Sequence, residues 1–97
     1  MGRQPAVYLL ASGRNGTVYL GVTSNLVRRV WQHRTSAVDG FSARYDVHLL
    51  VWFEVHDTMA SAIAREKRIK KWRRAWKADL IESANPYWRD LWSEIIG

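Results

Sequence analysis

The chain has 97 residues, 47% of them hydrophobic, which is enough for one compact domain and too few for two. Lys and Arg outnumber Asp and Glu by 15 to 9, giving a formal charge of +6 that favours a polyanionic partner, nucleic acid before a membrane surface. With no cysteine, disulfides, thiolate metal sites and thiol nucleophiles are excluded; no apolar run spans a bilayer and no signal-peptide core opens the chain, so a cytoplasmic protein is expected.

Residues 6–12 and 17–22 are rich in strand formers, and Gly13-Arg14-Asn15-Gly16 between them is a turn signal, so the two segments read as a β-hairpin. If Ser12 pairs with Thr17, Tyr8 falls opposite Gly21 and Leu10 opposite Tyr19. Tyr8 and Tyr19 then become diagonal neighbours on one face, with open space beside Tyr8 at Gly21. A slip of one residue would destroy this arrangement. Ser24 or Asn25 caps a helix running to about Ser36, with Leu26, Val27, Val30 and Trp31 as its core stripe. Arg29 and His33, four residues apart, border that stripe and point together towards the sheet edge. Residues 37–46 read as a loop.

A third strand follows, in which Val47, Leu49, Val51, Phe53 and Val55 alternate with His48, Leu50, Trp52, Glu54 and His56 to form one strongly apolar face. A second helix is expected from Asp57 or Thr58 through Lys71, and a third from about Arg73 to Ser83. Asn85-Pro86 then interrupts the chain, because the residue before proline disfavours helix. Trp88, Leu91, Trp92 and Ile95 recur at helical spacing, which predicts a short helix packed on the domain. The sum is a single α+β domain over 1–97, with a three-stranded antiparallel sheet flanked by helices.

Glu66 is the least expected residue on the second helix. It falls within the apolar stripe of Met59, Ala62, Ile63 and Ile69, and a carboxylate facing a core is costly unless paired or bound to a metal. Helix geometry favours an ion pair with Lys70, one turn later; metal binding gains ground where Glu66 faces the hairpin tyrosines and Arg29. Arg29, beside the core stripe, suits a bidentate phosphate clamp that stabilises charge in a phosphoryl transition state. Tyr8 and Tyr19 are sheet aromatics or catalytic phenols, and His33 is structural or catalytic; what favours chemistry is their convergence on one corner. Lys67, Arg68, Lys70, Lys71, Arg73, Arg74 and Lys77 crowd one region, interleaved with Trp72 and Trp76. They form either a solvated helix face with buried tryptophans or a phosphate-tracking surface with stacking on unpaired bases. His48 and His56 are too far apart to suggest a metal pair and receive no role.

Ala6-Val7-Tyr8 and Tyr19-Leu20-Gly21, spaced across a hairpin, resemble the motif of the GIY-YIG nucleases. Asn25-Leu26 and the run Arg28 to His33 are similar to that family's first helix, and the run Ala64 to Trp72 to the helix bearing its metal-binding glutamate. The run Asn85 to Leu91 resembles the ending of its small stand-alone bacterial members. The resemblance covers about residues 5–92, with Ala6 for the first glycine, Val7 and Leu20 for the isoleucines, and Val22 where some relatives carry a lysine. It implies a metal-dependent endonuclease acting on nucleic acid, DNA favoured, in repair or processing, with Glu66 holding Mg²⁺ or Mn²⁺. It further implies catalytic roles for Tyr8, Tyr19, Arg29 and His33, with Asn85 holding the site from the carboxyl-terminal side. The alternative is a nucleic-acid-binding module whose nuclease activity is weak, latent or lost.

Overall fold

A computed structural model describes residues 4–35 and 46–97. The elements are β1 (Ala6–Ala11), β2 (Val18–Thr23), α1 (Leu26–Arg34), β3 (Leu49–Val55), α2 (Met59–Lys70), α3 (Arg74–Ala84) and α4 (Trp92–Ile95). The loop expected over 37–46 lies, apart from Asp46, outside the described residues, as does the expected helix end at Ser36.

The sheet has strand order β2-β1-β3, antiparallel throughout. β1 takes the centre because all six of its residues are apolar or aromatic, and all six are buried. A continuous apolar run is what a strand covered on both faces requires. Its alternate side chains seed two cores. Val7, Leu9 and Ala11 pack with Val51, Trp52, Ala62, Ile69, Ile81 and Trp88. Ala6, Tyr8 and Leu10 pack on the other side with Leu26, Val30, Val47, Leu50 and Leu91. Helices α2 and α3 therefore cover one face of the sheet, and α1 with α4 the other.

The hairpin register is as expected, with Tyr8 opposite Gly21 and Leu10 opposite Tyr19. Ser12 N–H donates to the Thr17 carbonyl at 3.0 Å, and Gly16 N–H closes the turn on the Gly13 carbonyl at 3.0 Å. Asn15 takes the left-handed conformation, φ 58°, which its short polar side chain tolerates.

The third strand departs from the single apolar face. A bulge on β3 lets Leu9 pair with Trp52 and Leu10 with Leu50, leaving Val51 as the extra residue. Val51 and Trp52 consequently enter the same core, while Leu50 enters the other and Val55 is half-exposed. The expected tail helix is also shorter than its spacing suggests. Trp88 has φ 58°, which no helix accommodates, and only Trp92–Ile95 is helical. The cause is Asn85, whose buried side chain accepts from Arg89 N–H at 3.0 Å and donates to the carbonyls of Val51 (3.1 Å) and Arg89 (2.8 Å). That clasp turns the chain so that Trp88 and Leu91 enter opposite cores.

Candidate active site

Asn25 is the cap of α1, its side chain accepting from Arg28 N–H at 3.2 Å. The buried stripe that follows is Leu26, Val30 and His33, whereas Trp31 is 50% exposed. Relative to the expected stripe of Leu26, Val27, Val30 and Trp31, the helix is rotated by about 60°, two-thirds of the step between neighbouring residues. The rotation matters for chemistry because it moves His33 from the border into the interior.

Three rings meet there. The Tyr8 and Tyr19 centroids lie 6.4 Å apart, Tyr8 and His33 6.0 Å, and Tyr19 and His33 5.2 Å. Tyr8 Oη and His33 Nε2 are 3.3 Å apart and buried. Gly21 makes this packing possible: a Cβ there would sit 2.4 Å from both Cζ and Oη of Tyr8. The glycine is thus required by close approach rather than by backbone conformation.

Burial pushes the Tyr8 phenol up to about 12, the nearby Tyr19 phenol adds to the shift, and the Arg29 guanidinium opposes it. Burial, with the Arg29 charge acting in the same direction, pushes the His33 imidazole below its ordinary range. At neutral pH the pair is therefore a phenol beside a neutral imidazole, and which of the two donates is set by the tautomer of the ring. Nδ1 of His33 is buried and without a hydrogen-bond partner among the described residues.

Arg29 Nη1 donates to Gln32 Oε1 at 3.3 Å. Both residues line an open polar cleft of about 400 Å³, together with Val22, Thr23, Ser24, Asn25 and Arg28. Sequence reasoning does not single out Gln32 and Arg28 as site residues; the signal available is the three-residue spacing of Gln32 from Arg29. Val22 is part of the same wall.

Glu66 is half-buried and makes no hydrogen bond or ion pair among the described residues, so the expected pair with Lys70 does not form. Its helix packs through Ala62 and Ile69 on the Val7, Leu9 and Ala11 face of the sheet. Tyr8 and Tyr19 lie on the opposite face. β2 is an edge of the sheet, and the polar cleft there takes Val22 from one face and Arg29 from the helix covering the other. Asn85 is committed to backbone groups of β3 and the carboxyl-terminal turn.

Among the basic residues, Lys67, Arg68, Lys70, Lys71 and Arg73 are exposed and Lys77 is half-exposed. Arg74 differs: its Nη2 donates to the carbonyls of Asn15 (2.8 Å) and Gly16 (2.6 Å), tying α3 to the hairpin turn.

A family model described as the GIY-YIG catalytic domain matches residues 4–79. The chain belongs to the GIY-YIG family. The match spans the hairpin, α1, β3, α2 and the start of α3, which implies a nuclease-type function. A curated relative, the UPF0213 protein HQ_3675A of Haloquadratum walsbyi (strain DSM 16790 / HBSQ001), is 33% identical over 66 residues, 68% of this chain and 74% of that protein. No solved structure matches the chain at a significant level. Among the described residues, no helix is long and apolar enough to cross a membrane.

Proposed function

We propose that this GIY-YIG protein is a divalent-metal-dependent endonuclease that hydrolyses nucleic-acid phosphodiesters, DNA foremost, in cytoplasmic repair or processing. The observation that carries this reading is the convergence of Tyr8, Tyr19 and His33 beside a polar cleft walled by Arg28 and Arg29. The guanidinium of Arg29 binds the scissile phosphate and stabilises the charge that develops as the attacking oxygen adds. A phenol at about 12 is a poor base by itself at neutral pH. With the ring proton on Nδ1, the contact with neutral His33 supplies a route: water gives a proton to Tyr8 Oη while Tyr8 passes its own to His33 Nε2. Tyr19 packs against both rings and orients them.

Glu66 fits as a metal ligand by its chemistry. It offers a hard carboxylate oxygen that no cation or donor among the described residues claims, the kind of ligand Mg²⁺ and Mn²⁺ take alongside water and phosphate oxygens. No cluster of three or more His, Cys, Asp or Glu exists among the described residues, and in this reading water and phosphate oxygens complete the shell around Glu66. A bound ion would neutralise charge on the phosphate and on the leaving 3′ oxygen. Because Glu66 and the tyrosines belong to opposite layers, the substrate strand passes over the β2 edge, where both layers are reachable. Lys67, Arg68, Lys70, Lys71, Arg73 and Lys77 track its phosphates.

The test is cleavage with Mg²⁺ or Mn²⁺ by wild type, Arg29→Ala and Glu66→Ala, each checked for the fold. Each variant is expected to lose about 10²–10³ in rate, the loss typical of removing one group that stabilises transition-state charge. Normal cleavage by Glu66→Ala would sink the mechanism. The second reading, a binding module with weak, latent or lost activity, draws on the high phenol value and predicts binding without cleavage, unchanged by Glu66→Ala.

A further inference from the structure

The bend between α2 and α3 holds a second cleft, apolar where the first is polar. It measures about 370 Å³ and is lined by Trp72, Trp76, Asp79, Leu80 and Ser83. The two indoles meet edge to face, centroids 6.3 Å apart and planes at 80°, and Trp76 remains 49% exposed. The Arg73 guanidinium lies 5.0 Å from the Trp76 ring centroid. Lys70, Lys71 and Arg73 stand exposed around the bend without an ion pair among the described residues. Leu80 and Ser83 fall beyond the stretch matched to the catalytic domain, so the cleft is only partly a feature of that domain.

We propose that this cleft stacks an unpaired nucleobase on Trp76, so that the protein acts on nucleic acid with a single-stranded segment or junction. This rests on the nuclease reading above and adds the substrate class to it. The walls select the occupant. Indole and Leu80 surfaces suit the face of a base, which is flat and weakly hydrated, better than a phosphate. Asp79 repels a phosphate but accepts from the exocyclic amine of a base. The phosphates on either side of that base meet the cations at the rim, an arrangement an apolar peptide cannot exploit. Bases within an intact duplex are already stacked and cannot enter.

The experiment measures affinity for a short labelled DNA, single-stranded and as its duplex, and for the matching single-stranded RNA, with divalent metal chelated so that nothing is cleaved. Trp76→Ala is expected to weaken single-strand binding by about 5- to 150-fold, the range for losing one stacked base, and to leave duplex binding within about twofold. Trp76→Tyr, which keeps a ring, restores most of the affinity. Equal loss on both forms, or loss on neither, overturns the proposal and leaves the nuclease reading standing. Failure of wild type to bind any nucleic acid overturns both. Should Trp76→Ala not fold, the comparison moves to indole emission of wild type and folded Trp76→Tyr. The single strand should quench a component in wild type that Trp76→Tyr lacks, and equal fractional quenching overturns the stacking.

Discussion

The tyrosine corner and the basic bend solve opposite problems. At the corner, Tyr8 is 1% exposed and His33 5%, and the space their rings occupy is set by the missing side chain of Gly21. At the bend, the cations stay in water and the largest aromatic, Trp76, is half out of the protein. The difference follows from what each region has to do. Proton transfer needs fixed distances and protonation states set by the surroundings, which close packing and burial provide. Holding a long polyanion needs charge that releases counterions, which burial would make prohibitively costly. One region is therefore sensitive to a single methyl group, and the other to the number of charges.

The sharpest way to break this contrast is Gly21→Ala. A Cβ 2.4 Å from Tyr8 Cζ and Oη overlaps a ring held at the centre of the domain, between strand partners that cannot move apart. The expected loss is about 1–3 kcal/mol of stability, the usual cost of overpacking a core, together with loss of cleavage because the Tyr8 to His33 hydrogen bond is displaced. Gly13→Ala is the control: nothing lies within 4 Å of its Cβ position, and stability should stay within about 0.5 kcal/mol of wild type. Urea unfolding of the two variants compares them directly. Equal midpoints would mean that the corner is looser than its packing indicates.

The bend should respond to charge in a graded way. Lys70→Ala and Lys71→Ala remove exposed cations that make no ion pair among the described residues, so stability should stay within about 0.5 kcal/mol. Nucleic-acid affinity should fall on every sequence alike, and the slope of log affinity against log salt should shrink by about one for each phosphate no longer neutralised. Arg74→Ala should behave differently, costing stability rather than salt dependence, because its guanidinium is already committed to the Asn15 and Gly16 carbonyls. An Arg74→Ala protein with a shallower salt slope and unchanged stability would erase the distinction between cations that bind and cations that brace.

Much of the corner is legible in the sequence because short-range rules govern it. The four-residue turn sets the pairing of Ser12 with Thr17, and that pairing dictates Tyr8 opposite Gly21 and both phenols on one face. The helix phase of α1 is misjudged when only apolar residues are counted. Such counting puts Trp31 in the core, whereas the buried position belongs to His33, whose cost of burial is reduced by remaining neutral. The β3 bulge leaves no trace, since one extra residue in a wholly apolar segment changes no pattern. Nor can Glu66 be assigned to a layer. Periodicity says which side of a helix faces inward, whereas the face of the sheet it packs on depends on how the chain crosses over. Asn85 marks the helix end correctly, but its clasp on Val51 joins residues 34 positions apart.

Titration tests the corner's electrostatics. His33 is held below its ordinary value, so on acidification the unfolded chain takes up a proton that the folded chain refuses. Folding then releases protons, and this contribution to stability, complete above the unfolded value near 6.5, is lost as pH falls towards the folded value. Tyr8 works in the opposite sense. The unfolded phenol ionises near 10 while the folded one waits until about 12, so its contribution holds below 10 and drains away between 10 and 12. Urea midpoints across pH, measured for wild type, His33→Phe and Tyr8→Phe, separate the two. His33→Phe should flatten the acid limb and leave the alkaline limb intact, and Tyr8→Phe should do the reverse. Since Tyr19 and Arg29 adjoin both groups, each variant also changes its neighbour's surroundings, and the limb it leaves intact reports how far. Limbs that move together in both variants would show that the phenol and the imidazole titrate as one unit, and the proton route from water through Tyr8 to His33 would then have no defined direction.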